Sequence, residues 1–293
     1  MKNKTFLATL TLSAILFLAA CGNAASDSAS DSSTADATEP VKVTLGVVGE
    51  VNEPWDYVIE ELKEKENIEV ELVKFTDYTT PNNALAEGEI DLSSFQTEIF
   101  MDNYNKDHGT ELTTIGYTVM APLGLYSDKI TDISELKDGD TIAIPNDVSN
   151  EGRALILLQT AGLIKLDTAA GLVPTTEDVI ENRLNLQFQT LESNQTARAL
   201  QDVTASVINS GMAVDAGFIP SEDAGFIPSE DAVFLEPVTE DSKPYYNVIA
   251  ALSEDVDNEV FQTIVAYYQS EGTAKVIEES SKGSQFPVWD EAK

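Results

Sequence analysis

The strongest constraint on this chain is a hydrophobic period that changes and then changes back. Val41, Val43, Leu45 and Val47 alternate with Lys42, Thr44 and Gly46, the two-residue period of a strand. Trp55, Val58, Ile59 and Leu62 then fall at helical spacing, and Ile68, Val70 and Leu72 resume the alternation. Strand, helix and strand in so short a span make a βαβ unit. Its two strands are expected to be parallel and joined by a right-handed crossover.

The rhythm continues. Pro81-Asn82-Asn83 opens a short helix through Leu85, and Ile90-Asp91-Leu92 begins another strand. A second series starts near residue 120, with Leu123 to Ser127 and Thr141 to Ile144 as strands, the latter closed by Pro145-Asn146-Asp147. Ala154 to Leu163 reads as a helix halted near Gly162, Asn185 to Leu191 and Ala205 to Ile208 as short strands, and Thr196 to Leu200 as helical. Asn247 to Leu252 reads as a strand and Val260 to Ile277 as one long amphipathic helix. About 250 residues are enough for two lobes of ordinary size. The expected architecture is α/β, with residues 41–118 plus 248–293 in one lobe, 119–247 in the other and a ligand cleft between them. In such sheets ligands bind beyond the carboxyl ends of the strands.

What precedes this body reads as an address. Lys2 and Lys4 give a positive start, Phe6 to Ala20 is almost all apolar or small, and Leu18-Ala19-Ala20-Cys21 resembles a lipobox. The run is shorter than the roughly 20 residues that span a bilayer, and its layout is that of a signal peptide. Residues 1–20 are therefore expected to be removed, leaving Cys21, the one cysteine of the chain, as the lipidated first residue of the mature protein. Two or more acyl chains, palmitate among them, anchor stably where one does not. Gly22 to Pro40 has no aliphatic residue larger than Ala and no basic residue, so it is expected to be a disordered tether. As a coil its 19 residues span about 25 Å.

Charge and the scarcity of reactive side chains exclude most other classes. With 51 acidic and 17 basic residues the net charge is −34, or −36 once Lys2 and Lys4 are removed with the leader. Such a surface repels phosphate backbones, so no nucleic-acid partner is expected. The one histidine, His108, falls in the polar run Asn105 to Gly109, read as an exposed turn. A Ser-His-Asp triad would have to use it, no Gly-x-Ser-x-Gly elbow or phosphate-cradling loop is present, and one His does not make a zinc site. The chain is expected to be no enzyme and to carry no metal or cofactor. Asp215 to Glu222 recurs immediately as Asp223 to Glu230, a tandem copy expected in a loop that leaves ligand affinity untouched.

One polar segment stands out. In Ala143-Ile-Pro-Asn-Asp147-Val-Ser-Asn150-Glu-Gly-Arg153 a strand ends, a turn follows, and Arg153 is placed in the first turn of a helix. Free amides there favour an anion, and a guanidinium adds a two-pronged partner for a carboxylate. Two readings stand: a ligand clamp, or a surface ion pair of little worth.

Phe75-Thr-Asp-Tyr78, Pro81-Asn82, Ile90-Asp-Leu-Ser-Ser-Phe95-Gln96, Ile144-Pro-Asn-Asp147 with Asn150-Glu-Gly-Arg153-Ala-Leu, Ala161-Gly-Leu-Ile-Lys165-Leu, Val207-Ile-Asn209 and Pro244-Tyr-Tyr-Asn247 together resemble the NlpA/MetQ family of lipoproteins, over about residues 41 to 289. The resemblance implies a two-lobe periplasmic-binding-protein-like fold, type II-like. It implies the substrate-binding protein of an ABC importer, lipid-anchored on the extracytoplasmic side and delivering L-methionine to permease and ATPase subunits. It places Arg153 on the ligand's α-carboxylate with Asn150 beside it, and Asn209 and Asn247 on the ammonium. Tyr78 and Phe95 become walls for a thioether, which favours aromatic contacts. Where many members read Phe-Gln-His this chain has Phe95-Gln96-Thr97, which puts Thr97 among the ligand residues the resemblance implies, and Ala121 replaces an aromatic before Pro122. These departures at the side-chain end make another apolar amino acid or a methionine-containing dipeptide the alternative ligand. A tethered hydrolase is opposed by the scarcity of His and Cys, and a surface adhesin by the lack of an exposed aromatic run.

Overall fold

Val43, Leu45 and Val47 are almost fully buried while their neighbours vary, which is what alternation delivers when one face of a strand meets a helix. That strand opens the first region of the chain in the computed structural model, which describes residues 39–216, 232–282 and 284–291. The leader with Cys21, the tether up to residue 38 and all but Asp215 and Ala216 of the tandem copies lie outside the described residues. The chain runs β1 (Val41–Val48), α1 (Glu53–Glu66), β2 (Ile68–Phe75), α2 (Thr80–Ala86), β3 (Leu92–Ser93), α3 (Glu98–His108) and β4 (Leu112–Met120). It continues as β5 (Gly124–Tyr126), β6 (Thr141–Pro145), α4 (Val148–Thr160), β7 (Ile164–Leu166), β8 (Val179–Asn182), β9 (Gln187–Leu191), α5 (Ser193–Thr196), β10 (Ala205–Ile208), α6 (Ser210–Asp215) and β11 (Phe234–Leu235). β12 (Tyr246–Leu252), α7 (Glu259–Tyr268), α8 (Glu271–Ser281) and β13 (Phe286–Pro287) complete it.

These strands form two main sheets. The first has the order β13-β4-β12-β3-β1-β2 and the second β11-β5-β10-β6-β9, with β7 and β8 as a separate pair. β1 and β2 are parallel, Val41 opposite Ile68 through Val48 opposite Phe75, as the βαβ reading requires. β12 returns antiparallel to β3 and β4. In the second sheet β6 lies parallel to β9 and β10, while β5 runs antiparallel to β10. The chain crosses from one sheet to the other twice, between Met120 and Gly124 and between Leu235 and Tyr246.

Each sheet has its own core. Val43, Leu45, Trp55, Val58, Leu62, Ile264, Val265 and Ile277 belong to one cluster, in which α1, α7 and α8 cover the first sheet. Leu125, Ile142, Ile144, Leu155, Leu158 and Val207 belong to the other, under α4. Each fully buried aliphatic side chain stabilises its lobe by about 1.5–3 kcal/mol. Gly116 lets α7 approach β4, since a Cβ there would lie 2.6 Å from Val265 Cγ1.

Several expectations are corrected. The long C-terminal helix is two, α7 and α8, because Ser270 turns out of the helix and its hydroxyl accepts the Thr273 N–H at 3.2 Å, starting a new cap. His108 is exposed but closes α3, not a loop, and Gly109 in left-handed conformation (φ 68°) ends that helix. α4 begins at Val148, six residues before the expected start, because the Asp147 carboxylate accepts the Asn150 N–H at 2.9 Å. Arg153 therefore sits in the second turn, not the first.

Candidate functional site

One cavity of about 180 Å³ opens between the two sheets. The α4 and β10–α6 side supplies Asn150, Arg153, Asn209, Ser210 and Gly211 to its wall, and the facing side supplies Tyr78, Phe95, Thr97, Phe100, Trp55 and Asn247. All seven residues singled out in the sequence, Arg153, Asn150, Asn209, Asn247, Tyr78, Phe95 and Thr97, line it. Arg153 is the only charged side chain on that wall among the described residues.

Arg153 is neither a free clamp nor a surface pair. It is 3% exposed, donating from Nε to Glu236 Oε1 at 2.8 Å and from Nη2 to Glu236 Oε2 at 2.5 Å. Nη2 also donates to the Ala121 carbonyl at 3.0 Å, and the guanidinium lies 4.7 Å from the Tyr245 ring centroid. Glu236 in turn accepts the Leu123 N–H at 2.9 Å. The two-pronged edge is thus already occupied, and among the described residues Nη1 has no acceptor. Ala121, Leu123 and Glu236 all sit on the two chain crossings between the sheets, so the arginine is tied to both.

The asparagines form a directed series. Asp147 accepts from Asn150 Nδ2 on both oxygens at 3.0 Å, and Asn150 Oδ1 accepts from Asn209 Nδ2 at 2.8 Å. Asn209 Oδ1 is left buried with no donor among the described residues. A buried unmatched acceptor is costly and calls for a partner. Asn247 makes no side-chain hydrogen bond among the described residues; its backbone pairs with that of Thr97.

The opposite wall is aromatic. Tyr78 stacks on Phe95, with centroids 5.9 Å apart at 26°, and Phe100 meets both edge-on at 6.2 and 6.1 Å. Burial first, then the Asp147 and Asp215 carboxylates, push the Tyr78 phenol far above its ordinary pKa, so it stays neutral. Phe95 is held in place by its neighbours. Ser94 Oγ accepts from Trp55 Nε1 at 3.2 Å, and Gln96 exchanges two hydrogen bonds with buried Asn82, at 2.6 and 2.7 Å. Thr97, placed among the ligand residues by the resemblance, is the N-cap of α3, its hydroxyl accepting the Phe100 N–H at 3.4 Å.

Sequence reasoning missed Phe100, Glu236, Tyr245, Asp147, Tyr268 and Gln285. Phe100 lies on a helix in which Phe100, Met101 and Tyr104 fall at helical spacing. Glu236 had no local signal, being one of 51 acids. Among the described residues no group of three or more His, Cys, Asp or Glu is placed to hold a metal ion.

The sequence model of the family described as NlpA lipoprotein matches residues 43–289. The D-methionine-binding lipoprotein MetQ of Salmonella typhimurium is 36% identical over 291 residues, 98% of this chain and 99% of that one. Among solved structures, protein PG110 from Staphylococcus aureus matches with a TM-score of 0.79 at 43% identity, covering 84% of this chain and 94% of that chain. A nutrient binding protein from Burkholderia cenocepacia, solved bound to methionine, matches with a TM-score of 0.77 at 37% identity, covering 84% and 99%.

Proposed function

The chain belongs to the NlpA lipoprotein family, and from that premise we propose that it is the substrate-binding protein of an ABC importer that takes one L-methionine between closing lobes and delivers it to a permease and ATPase. The observation that carries this reading is the cavity's opposition of a polar wall to an aromatic one. Arg153 Nη1 supplies a cationic donor for a carboxylate, Asn209 Oδ1 a waiting acceptor for an ammonium. Tyr78, Phe95 and Phe100 supply polarizable faces for a thioether, worth about 0.3–1.5 kcal/mol per contact. The D-methionine named in the Salmonella relative and the methionine bound in the Burkholderia one support a methionine ligand.

The cavity is smaller than the roughly 300–1,000 Å³ that holds drug-sized ligands, which favours one amino acid over a dipeptide. The two lobes divide at the chain crossings between the sheets, between Met120 and Gly124 and between Leu235 and Tyr246, and closure is absorbed there. Cys21 carries the lipid that keeps the receptor on the extracytoplasmic face of the membrane, detectable as a mass increase of the mature N-terminus. The chain performs no chemistry on its ligand.

Isothermal titration of ligand-stripped protein with L-methionine, D-methionine, leucine and a methionine dipeptide tests the reading. One L-methionine per chain is expected, with a loss of about 1–3 kcal/mol in Asn209→Ala, the cost of a missing partner for a buried polar group. A folded protein that takes up none of the four ligands refutes it.

A further inference from the structure

We propose that Asp147, outside the cavity, is a positioning residue that fixes the polarity of the ammonium-facing wall, so that the site selects ligands carrying a protonated amine over the same molecules without one. The inference rests on the amino-acid reading above and adds to it what enforces that choice. Tracing the amides outward from the carboxylate gives a single consistent orientation for each. A carboxylate only accepts hydrogen bonds. Asp147 Oδ1 takes the Asn150 backbone N–H at 2.9 Å, and both its oxygens take Asn150 Nδ2 at 3.0 Å. The Ser149 and Ser193 hydroxyls add further donors at 3.1 and 3.2 Å.

Asn150 must therefore point its NH2 inward and its oxygen outward. That oxygen accepts from Asn209 Nδ2 at 2.8 Å, which consumes Asn209's donor side and leaves Oδ1 buried and unmatched on a residue that lines the cavity. An isolated amide exchanges its oxygen and nitrogen ends at little cost, and only its network decides between them. Here the network begins at a negative charge and ends on an acceptor, Asn209 Oδ1, that is buried and unmatched. Charge points the same way: Glu236 offsets Arg153 within the wall, while Asp147 and Asp215 raise the Tyr78 pKa through their field. With Arg153 offset, the wall offers an anion without an amine no uncompensated cation.

Asp147→Asn isolates this role. Asn caps helices as well as Asp does, so α4 keeps its start, but an amide at 147 can donate as well as accept, and both asparagines can reverse. Titration calorimetry compares L-methionine with 4-(methylsulfanyl)butanoate, the same skeleton lacking the amine. Unsubstituted protein is expected to prefer methionine strongly. In Asp147→Asn, methionine affinity falls at least tenfold while that of the desamino acid holds or rises, and the ratio collapses. Adding Asn209→Asp, which places an acceptor there whatever the orientation, restores the preference for methionine. Equal losses for both ligands, or an unchanged ratio, overturn the inference alone. Absence of methionine binding by the unsubstituted protein overturns the amino-acid reading and the inference with it.

Discussion

Replacing Glu236 with alanine strands a buried cation, and the geometry sets the size of the effect. The Arg153 and Glu236 side chains are 4% and 11% exposed and share two hydrogen bonds, at 2.8 and 2.5 Å. Removing one member of such a pair costs about 3–5 kcal/mol, because the other charge stays desolvated without compensation. The Leu123 N–H loses its acceptor as well, and the Ala121 carbonyl and the Tyr245 ring recover only part of the loss. We expect about 4 kcal/mol in urea unfolding of the ligand-free protein, close to a 10 °C drop in Tm for a body of this size. Arg153→Met combined with Glu236→Leu fills the same space without charge and should cost far less than the single changes added together. The coupling in that double-mutant cycle is expected to exceed about 2 kcal/mol. A single-variant cost below about 1 kcal/mol, the range of an exposed ion pair, or strict additivity would falsify the claim that this pair is buried and mutually dependent.

Two further outcomes follow from groups near the cavity. Asn82→Ala removes half of a reciprocal amide pair at residues 0% and 3% exposed; thermal unfolding should show a loss of about 1–3 kcal/mol, and an unchanged Tm would mean that Gln96 finds water or another partner. Glu151 has its carboxyl held above the usual range by burial, with Asp147 adding and the Thr176 N–H opposing. The folded state then binds that proton more tightly than the unfolded one, so the penalty is present above the folded pKa and disappears as pH falls below the unfolded pKa. Glu151→Gln should accordingly raise Tm slightly at pH 7, by up to about 0.5 kcal/mol of stability, and leave it unchanged near pH 4; a destabilised variant at pH 7 would contradict the direction.

Much of the scaffold was legible because burial on one face imposes a period. β1, α1 and β2 carry their apolar residues at intervals of two, then three to four, then two, and the parallel pairing of Val41 with Ile68 follows. α3 and the nine-residue strand β4 were passed over: β4 interleaves Thr113, Thr114, Gly116 and Thr118 with its apolar positions, which blurs the alternation. The split between α7 and α8 turns on a single hydroxyl at Ser270, a local competition that an averaged hydrophobic pattern does not register. The site shows the same division. Seven residues read from the sequence line one cavity, since each lies in a short segment whose order along the chain survives in the fold.

What the sequence by itself determined was the alternation of elements, the family to which the chain belongs and the roster of polar and aromatic residues offered to a ligand. Only the tertiary structure decided how those residues are engaged. Glu236 is 83 positions from Arg153 and Asn209 is 59 from Asn150. The first contact takes the edge of the guanidinium that was expected to be free, and the second leaves one amide oxygen buried and unmatched beside the cavity. Periodicity reports which face of an element is buried, but the partner across a cavity is set by how distant segments pack. The polarity of a binding wall is a property of that packing.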